Sequence, residues 1–206
     1  MKSMVFVLLT ITLLYGGFIY FFDYSIESPD FQLVETLSSN VEIRQYDSYY
    51  QAYVSYDSIN QNKAFSKLFN FISGSNKISE DLNMTTPVKL DMTAPVKLDM
   101  TAPVKVDANM EVFNGMAFVM PNNFNPQIVP NDPDIQIQKI ESKKVASIKF
   151  SGLMKQKNID EKYNQLKLIL DEKGYKYEEG YVYAGYNGPY VLPFLRRNEV
   201  WVNILE

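Results

Sequence analysis

Methionine, lysine and aspartate recur at a fixed spacing between Met84 and Asp107, where one eight-residue phrase is written three times: MTTPVKLD, MTAPVKLD and MTAPVKVD. Thioethers suit soft metals such as Cu(I), and paired carboxylates do acid–base work. Neither chemistry fits this spacing. Eight residues of strand span about 26 Å, so Met84, Met92 and Met100 meet one ion only if the copies fold back on each other. Flexible apolar side chains of this kind are more often core filler. Asp91, Asp99 and Asp107 recur only because the phrase does, and nothing in their surroundings sets an acid apart from a base.

The chain contains no histidine and no cysteine. That removes Ser-His-Asp triads, thiolate metal sites, disulfides and the commonest ligand of zinc and haem iron. The nucleophiles that remain are Ser, Thr, Tyr, Lys and carboxylates, so an enzyme has little support and no metal site is expected. A net charge of −4 without a basic run leaves no nucleic-acid footprint.

An even period matters for the element that carries the phrase. Alternate side chains of a strand share a face, so the Met, the third residue, Val and Leu of each copy point one way, and Thr, Pro, Lys and Asp the other. Sliding by one copy preserves both faces, which leaves register weakly specified among the three. One copy is expected in the fold, with the others lengthening a loop or hairpin.

Around it, Val41–Tyr46 and the tyrosine-rich run from Tyr49 read as strands. Asn60–Ile72 changes to helical period, with Ala64, Leu68, Phe71 and Ile72 on one stripe. Met116–Met120 is a further strand, and 121–134, rich in proline and asparagine, is a loop. Val145–Phe150 then alternates again. A second helix is expected with Asn158 as N-cap, a stripe of Ile159, Tyr163, Leu166, Ile169 and Leu170, and Gly174 at its end. Tyr181–Ala184 and Val200–Leu205 close the chain as strands. The order strand-helix-strand-strand thus occurs twice, which predicts an α+β domain of antiparallel strands with helices packed on the sheet.

The first residues read differently. Met4–Phe22 is nineteen residues without a charge, long enough at about 28 Å to cross a bilayer core. No small-residue cleavage site follows Phe22, which favours an uncleaved anchor over a cleaved signal. Lys2 lies before the segment, and Asp23, Glu27 and Asp30 lie after it, so positive-inside orientation puts the domain on the non-cytoplasmic side. The expected layout is a single-pass anchor at 1–22, a spacer at 23–32 and a domain at 33–206.

Several phrases carry a family resemblance: Val41-Glu42-Ile43-Arg44-Gln45-Tyr46, Lys63-Ala64-Phe65, Met92-Thr93-Ala94-Pro95-Val96, Phe118-Val119-Met120-Pro121, Pro130-Asn131-Asp132-Pro133, Phe150-Ser151-Gly152 and Phe194-Leu195-Arg196-Arg197-Asn198-Glu199-Val200. In this order, over about residues 33–205, they resemble the SOUL family of haem-binding proteins. The family typically shows one MTxPV phrase, so the tandem copies are a departure. The resemblance implies a distorted antiparallel β-barrel of two pseudo-repeated units, and non-enzymatic binding of haem or a related tetrapyrrole. Some members are held to ligate iron through histidine; others hold the ring in an apolar cleft with basic residues near the propionates. Only the second mode is open here, with Tyr, Met or no protein group on the iron. The expected surface is the exposed side of the first helix plus the loop Tyr186–Phe194. Its candidate ligand-binding residues are Lys63, Lys67, Tyr186, Tyr190, Phe194 and Arg196, with Arg197 as an alternative cation. Arginine beside Glu199 also reads as a structural ion pair. The alternative function is a structural or protein-interaction module of the same fold that no longer binds haem.

Overall fold

The computed structural model describes residues 27–56, 59–78, 81–82, 84–93, 114–188 and 191–205. The expected anchor Met4–Phe22 lies outside them. Among the described residues no helix is long and apolar enough to cross a membrane.

The described chain runs β1 (Phe31–Ser38), β2 (Val41–Tyr46), β3 (Tyr49–Ser55), α1 (Gln61–Ile72), β4 (Val88–Thr93), β5 (Gly115–Val119), β6 (Gln136–Ile140), β7 (Lys143–Phe150), α2 (Gln156–Lys173), β8 (Gly180–Gly185) and β9 (Asn198–Asn203). Asn60 starts α1, its Oδ1 accepting from the Lys63 backbone N–H at 3.0 Å, which satisfies a donor the helix itself cannot. Ala64, Leu68, Phe71 and Ile72 form the buried stripe that the period requires. The second helix begins earlier than expected, at Gln156 with Lys155 as N-cap. Asn158 instead ties the preceding loop, donating from Nδ2 to the Leu153 carbonyl at 3.2 Å. Gly174 ends α2 in the left-handed region, φ 74°, where a Cβ is costly.

Nine strands form one antiparallel sheet in the order β1-β2-β7-β9-β8-β4-β5-β3-β6. The units β3-α1-β4-β5 and β7-α2-β8-β9 are the expected strand-helix-strand-strand repeats, and they meet where β4 pairs β8. Each also borrows a strand: β2 pairs β7 of the second unit, and β6 pairs β3 of the first. The expected distorted antiparallel barrel takes the form of a half-barrel: the sheet curls but stays open, with β1 and β6 as its edge strands. Both edges are poor templates for further pairing. β1 carries register shifts and mostly exposed side chains, and β6 is the polar run QIQKI. β1 starts at Phe31, inside the stretch expected as a spacer. The residues before it are tied down, since Glu27 and Asp30 accept from the backbone N–H and Nδ2 of Asn122 at 2.7 and 3.1 Å.

Alternation along the strands divides the interior in two. On the helix side Ile43, Ala52, Leu90, Phe118, Ile148 and Val200 pack beneath α1 and α2. The opposite face gathers Tyr46, Tyr49, Val145, Ala184, Tyr186 and Trp201. Among the described residues no helix lies there, and the curl of the sheet itself buries them. β4 lies within the sheet between β8 and β5. It takes Val88–Asp91 from the first copy of the phrase and Met92–Thr93 from the second, so the first copy enters the sheet. Residues 94–113, with the rest of the second copy and all of the third, lie outside the described chain.

Candidate functional site

The period of β4 builds the site. Met84, Thr86, Val88 and Leu90, the face assigned by two-residue alternation, line one cleft. Met116 of β5, the cross-strand neighbour of Leu90, extends this wall, and Gln61 and Phe65 of α1 with Met154 before α2 complete the lining. Tyr183, Gly185, Tyr186, Asn187, Arg196 and Asn198 close the end towards β8 and β9. The cleft measures about 460 Å³, within the roughly 300–1,000 Å³ usual for small-molecule sites, and is apolar with a few polar groups, as such sites generally are. Phe65 and Phe69 stack at 6.1 Å between centroids, 11° from parallel, on the exposed side of α1. That leaves flat aromatic surface at the mouth.

The two tyrosine hydroxyls bordering the cleft are committed. Tyr183 donates to Asn198 Oδ1 at 2.6 Å and Tyr186 to Glu199 Oε2 at 3.0 Å. Burial pushes Tyr183 up to about 12, against a smaller opposing effect of the Arg196 charge. Tyr186 is pushed well above the ordinary phenol value by burial and then by the Glu199 carboxylate. Both therefore stay neutral phenols at neutral pH. Gly185 lies under the Tyr183 ring, where a Cβ would stand 3.2 Å from it, so glycine keeps this end of the cleft open. Arg196 is held by donation from Nε to the Val191 carbonyl at 2.7 Å.

Of the residues expected to bind, Tyr186 and Arg196 line the cleft. Lys63 and Phe194 are exposed and do not line it. Lys67 is turned to Asp132 and Asp134, at 2.5 and 2.9 Å, and these carboxylates account for its raised pKa. It is therefore a clamp between α1 and the loop before β6. Tyr190 lies outside the described residues. Arg197 is the structural ion pair: its Nη2 meets Glu199 at 2.7 Å, and its guanidinium lies 3.9 Å over the Tyr186 ring. Sequence reasoning missed Met84, Thr86, Val88, Leu90, Met116, Met154 and Tyr183. For the first four the signal was present, in the phase of the repeat; for the others the relevant neighbour is distant in sequence.

Comparison with known proteins agrees with the architecture. A profile of the SOUL heme-binding protein family matches residues 26–203. Heme-binding protein 1 of Sus scrofa is 30% identical over 142 residues, covering 68% of this chain and 69% of that protein. The Mus musculus protein of the same name is 28% identical over 142 residues, with the same coverage. Among solved structures, the EcmrR C-terminal domain superposes with a TM-score of 0.56 at 10% identity, covering 85% of this chain and 98% of that one. A Listeria innocua protein described as a hydrolase gives 0.56 at 9% identity, over 91% and 98%. At such identities these two establish the fold alone. The doubled units, the ordered phrases and the profile over nearly the whole domain together mean that this chain belongs to the SOUL heme-binding protein family.

Proposed function

We propose that this chain binds haem or a closely related tetrapyrrole in the cleft between α1 and β4, holding it without chemical conversion. One observation carries this reading: an apolar cavity of about 460 Å³ with Arg196 at its border, in a chain whose family is haem-binding. Val88, Leu90, Met116 and Phe65 suit the faces of a flat ring, and a guanidinium suits a propionate by paired N–H donation. When bound, haem would supply an iron that accepts N, S or O donors. The chain has no imidazole, and Tyr183 and Tyr186 are spent on Asn198 and Glu199 as neutral phenols. Among the donors left in the cleft are the thioethers of Met84, Met116 and Met154 and the Thr86 hydroxyl, and the ring is held mainly by its faces and carboxylates. We further propose that Met4–Phe22 anchors the domain on the non-cytoplasmic side of a membrane, supported by its uncharged length and by Lys2 preceding it.

Titration of the full chain with hemin, read at the Soret band, tests the cleft. Phe65→Ala and Arg196→Glu are each expected to weaken binding roughly tenfold, the scale of one lost aromatic contact or charge-assisted hydrogen bond. Hemin uptake indifferent to both substitutions removes the assignment, and the family fold here then serves as an interaction module.

A further inference from the structure

Strand register gathers three connections at one end of the sheet. Val88 at the start of β4 pairs Gly185 at the end of β8, Gly185 pairs Asn198 at the start of β9, and Asn198 pairs Phe150 at the end of β7. Met84 before β4, Leu153 after β7, and Leu192, Phe194 and Leu195 between β8 and β9 therefore lie at this end. All five are exposed, Phe194 by 69%. They border the mouth of the cleft: Met84 lines it, Leu153 precedes the lining Met154, and Leu195 precedes the lining Arg196. The loops that carry them are tied together. The Gly152 N–H donates to the Pro193 carbonyl at 2.8 Å, and Asn198 Nδ2 to the Gly152 carbonyl at 3.1 Å. A fixed rim of exposed apolar side chains around a cleft marks a contact surface.

The N-terminal chain reaches the domain at this same end. Thr86, on the cleft wall, donates its backbone N–H to the Glu27 carbonyl at 2.9 Å. Four residues, 23–26, separate Glu27 from the proposed anchor Met4–Phe22. Fully extended, the step from Phe22 to Glu27 spans at most about 18 Å. A compact domain of this length is roughly 40 Å across. So short a tether brings the end that carries Glu27 to the bilayer and keeps the opposite end off it.

We propose that the rim formed by Met84, Leu153, Leu192, Phe194 and Leu195 rests in the interface of the bilayer that holds the anchor, so that the cleft opens onto lipid. The inference rests on the anchor proposed above. Lipid is the occupant because the tether keeps the rim beside a lipid surface, and a shallow apolar patch suits the boundary of headgroups and acyl chains.

The chain has no cysteine, so one introduced thiol can carry a polarity-sensitive fluorophore. Full-length Phe194→Cys and Lys176→Cys are labelled and reconstituted in phosphatidylcholine–phosphatidylglycerol vesicles doped with doxyl-labelled lipid. Lys176 is exposed beyond the other end of the sheet, where its carbonyl accepts from the Leu205 N–H at 2.9 Å, roughly 20 Å of strand from Asn198. The label at position 194 is expected to shift to the blue and to lose emission to the doxyl groups, and the label at 176 to do neither. Equal behaviour of the two labels overturns the proposal. Alkaline extraction of the same vesicles reads the anchor separately. Selective quenching at 194 in protein that extracts supports the rim and refutes the anchor, and an unquenched label in protein that resists extraction refutes the rim alone.

Discussion

Glu199 is the residue on which the helix-free face depends. It has no exposed surface, yet it keeps its charge. Arg44 meets it from Nη1 and Nη2 at 2.8 and 3.2 Å, and Trp201 Nε1 donates to it at 2.7 Å. Burial alone would raise this carboxyl; Arg44, then Arg197 and the indole N–H, outweigh it and hold the group down to about 2. A depressed carboxyl contributes stability that is complete above its unfolded value near 4.5 and is lost as pH falls towards about 2. The contribution is about 3 kcal/mol. Glu199→Gln leaves Arg44 with half-exposed Glu42, 2.7 Å away, as its remaining carboxylate and should cost roughly 3 kcal/mol in urea unfolding at neutral pH. The variant should also lack the acid limb between these two pH values. A variant as stable as the parent, with the same acid limb, would show that the ion pair does not hold this face. The sequence flagged an arginine–Glu199 pair, but Arg44, 155 residues away, could not be chosen from local spacing.

At the scale of the element, β4 shows how far a period reaches. It set the correct side chains on the cleft wall, because a strand's alternation is a local backbone property. It also implies tolerance. Deleting residues 84–91 joins Asn83 to Met92 and brings the second copy to the slot, with Ala94, Val96 and Leu98 replacing Thr86, Val88 and Leu90, and Lys97 replacing Lys89. Thr93 then stands where Thr85 bonds the Val119 carbonyl. Since eight is even, every side chain keeps its face, and shortening the β4–β5 connection changes closure entropy by only about 0.6 kcal/mol per halving. The deleted chain is expected to unfold cooperatively within about 1 kcal/mol of the parent, as measured in urea. Loss of the cooperative transition would mean that the copies are not interchangeable. The same locality explains two misses. β6 is too polar to announce itself as a strand, and α2 begins at Gln156 because the loop, through Asn158, fixes its start.

The whole molecule is a doubled unit used unequally. On the α1 side the space beside β4 is a cleft. On the α2 side Tyr181 of β8 fills the space, with its ring 4.7 Å from Tyr163 and its hydroxyl donating to Asp160 at 2.9 Å. One half therefore keeps room for a ligand and the other is closed by its own tyrosines. The proposed anchor belongs to this scale as well. The full chain is expected to stay in the membrane pellet after alkaline extraction, and recovery in the supernatant would refute anchoring by Met4–Phe22. The amino-acid order by itself determined both helical stripes, the two strand-helix-strand-strand units, the faces of β4 and the exclusion of histidine chemistry, because each is a matter of local period or of composition. Only the tertiary structure decided that the half-barrel stays open, that Lys67 serves Asp132 and Asp134, and that Leu90 and Lys89 border two different cavities. Those outcomes depend on pairings between β4 and β8, β2 and β7, and β3 and β6. Contacts so distant along the chain leave no trace in its local spacing.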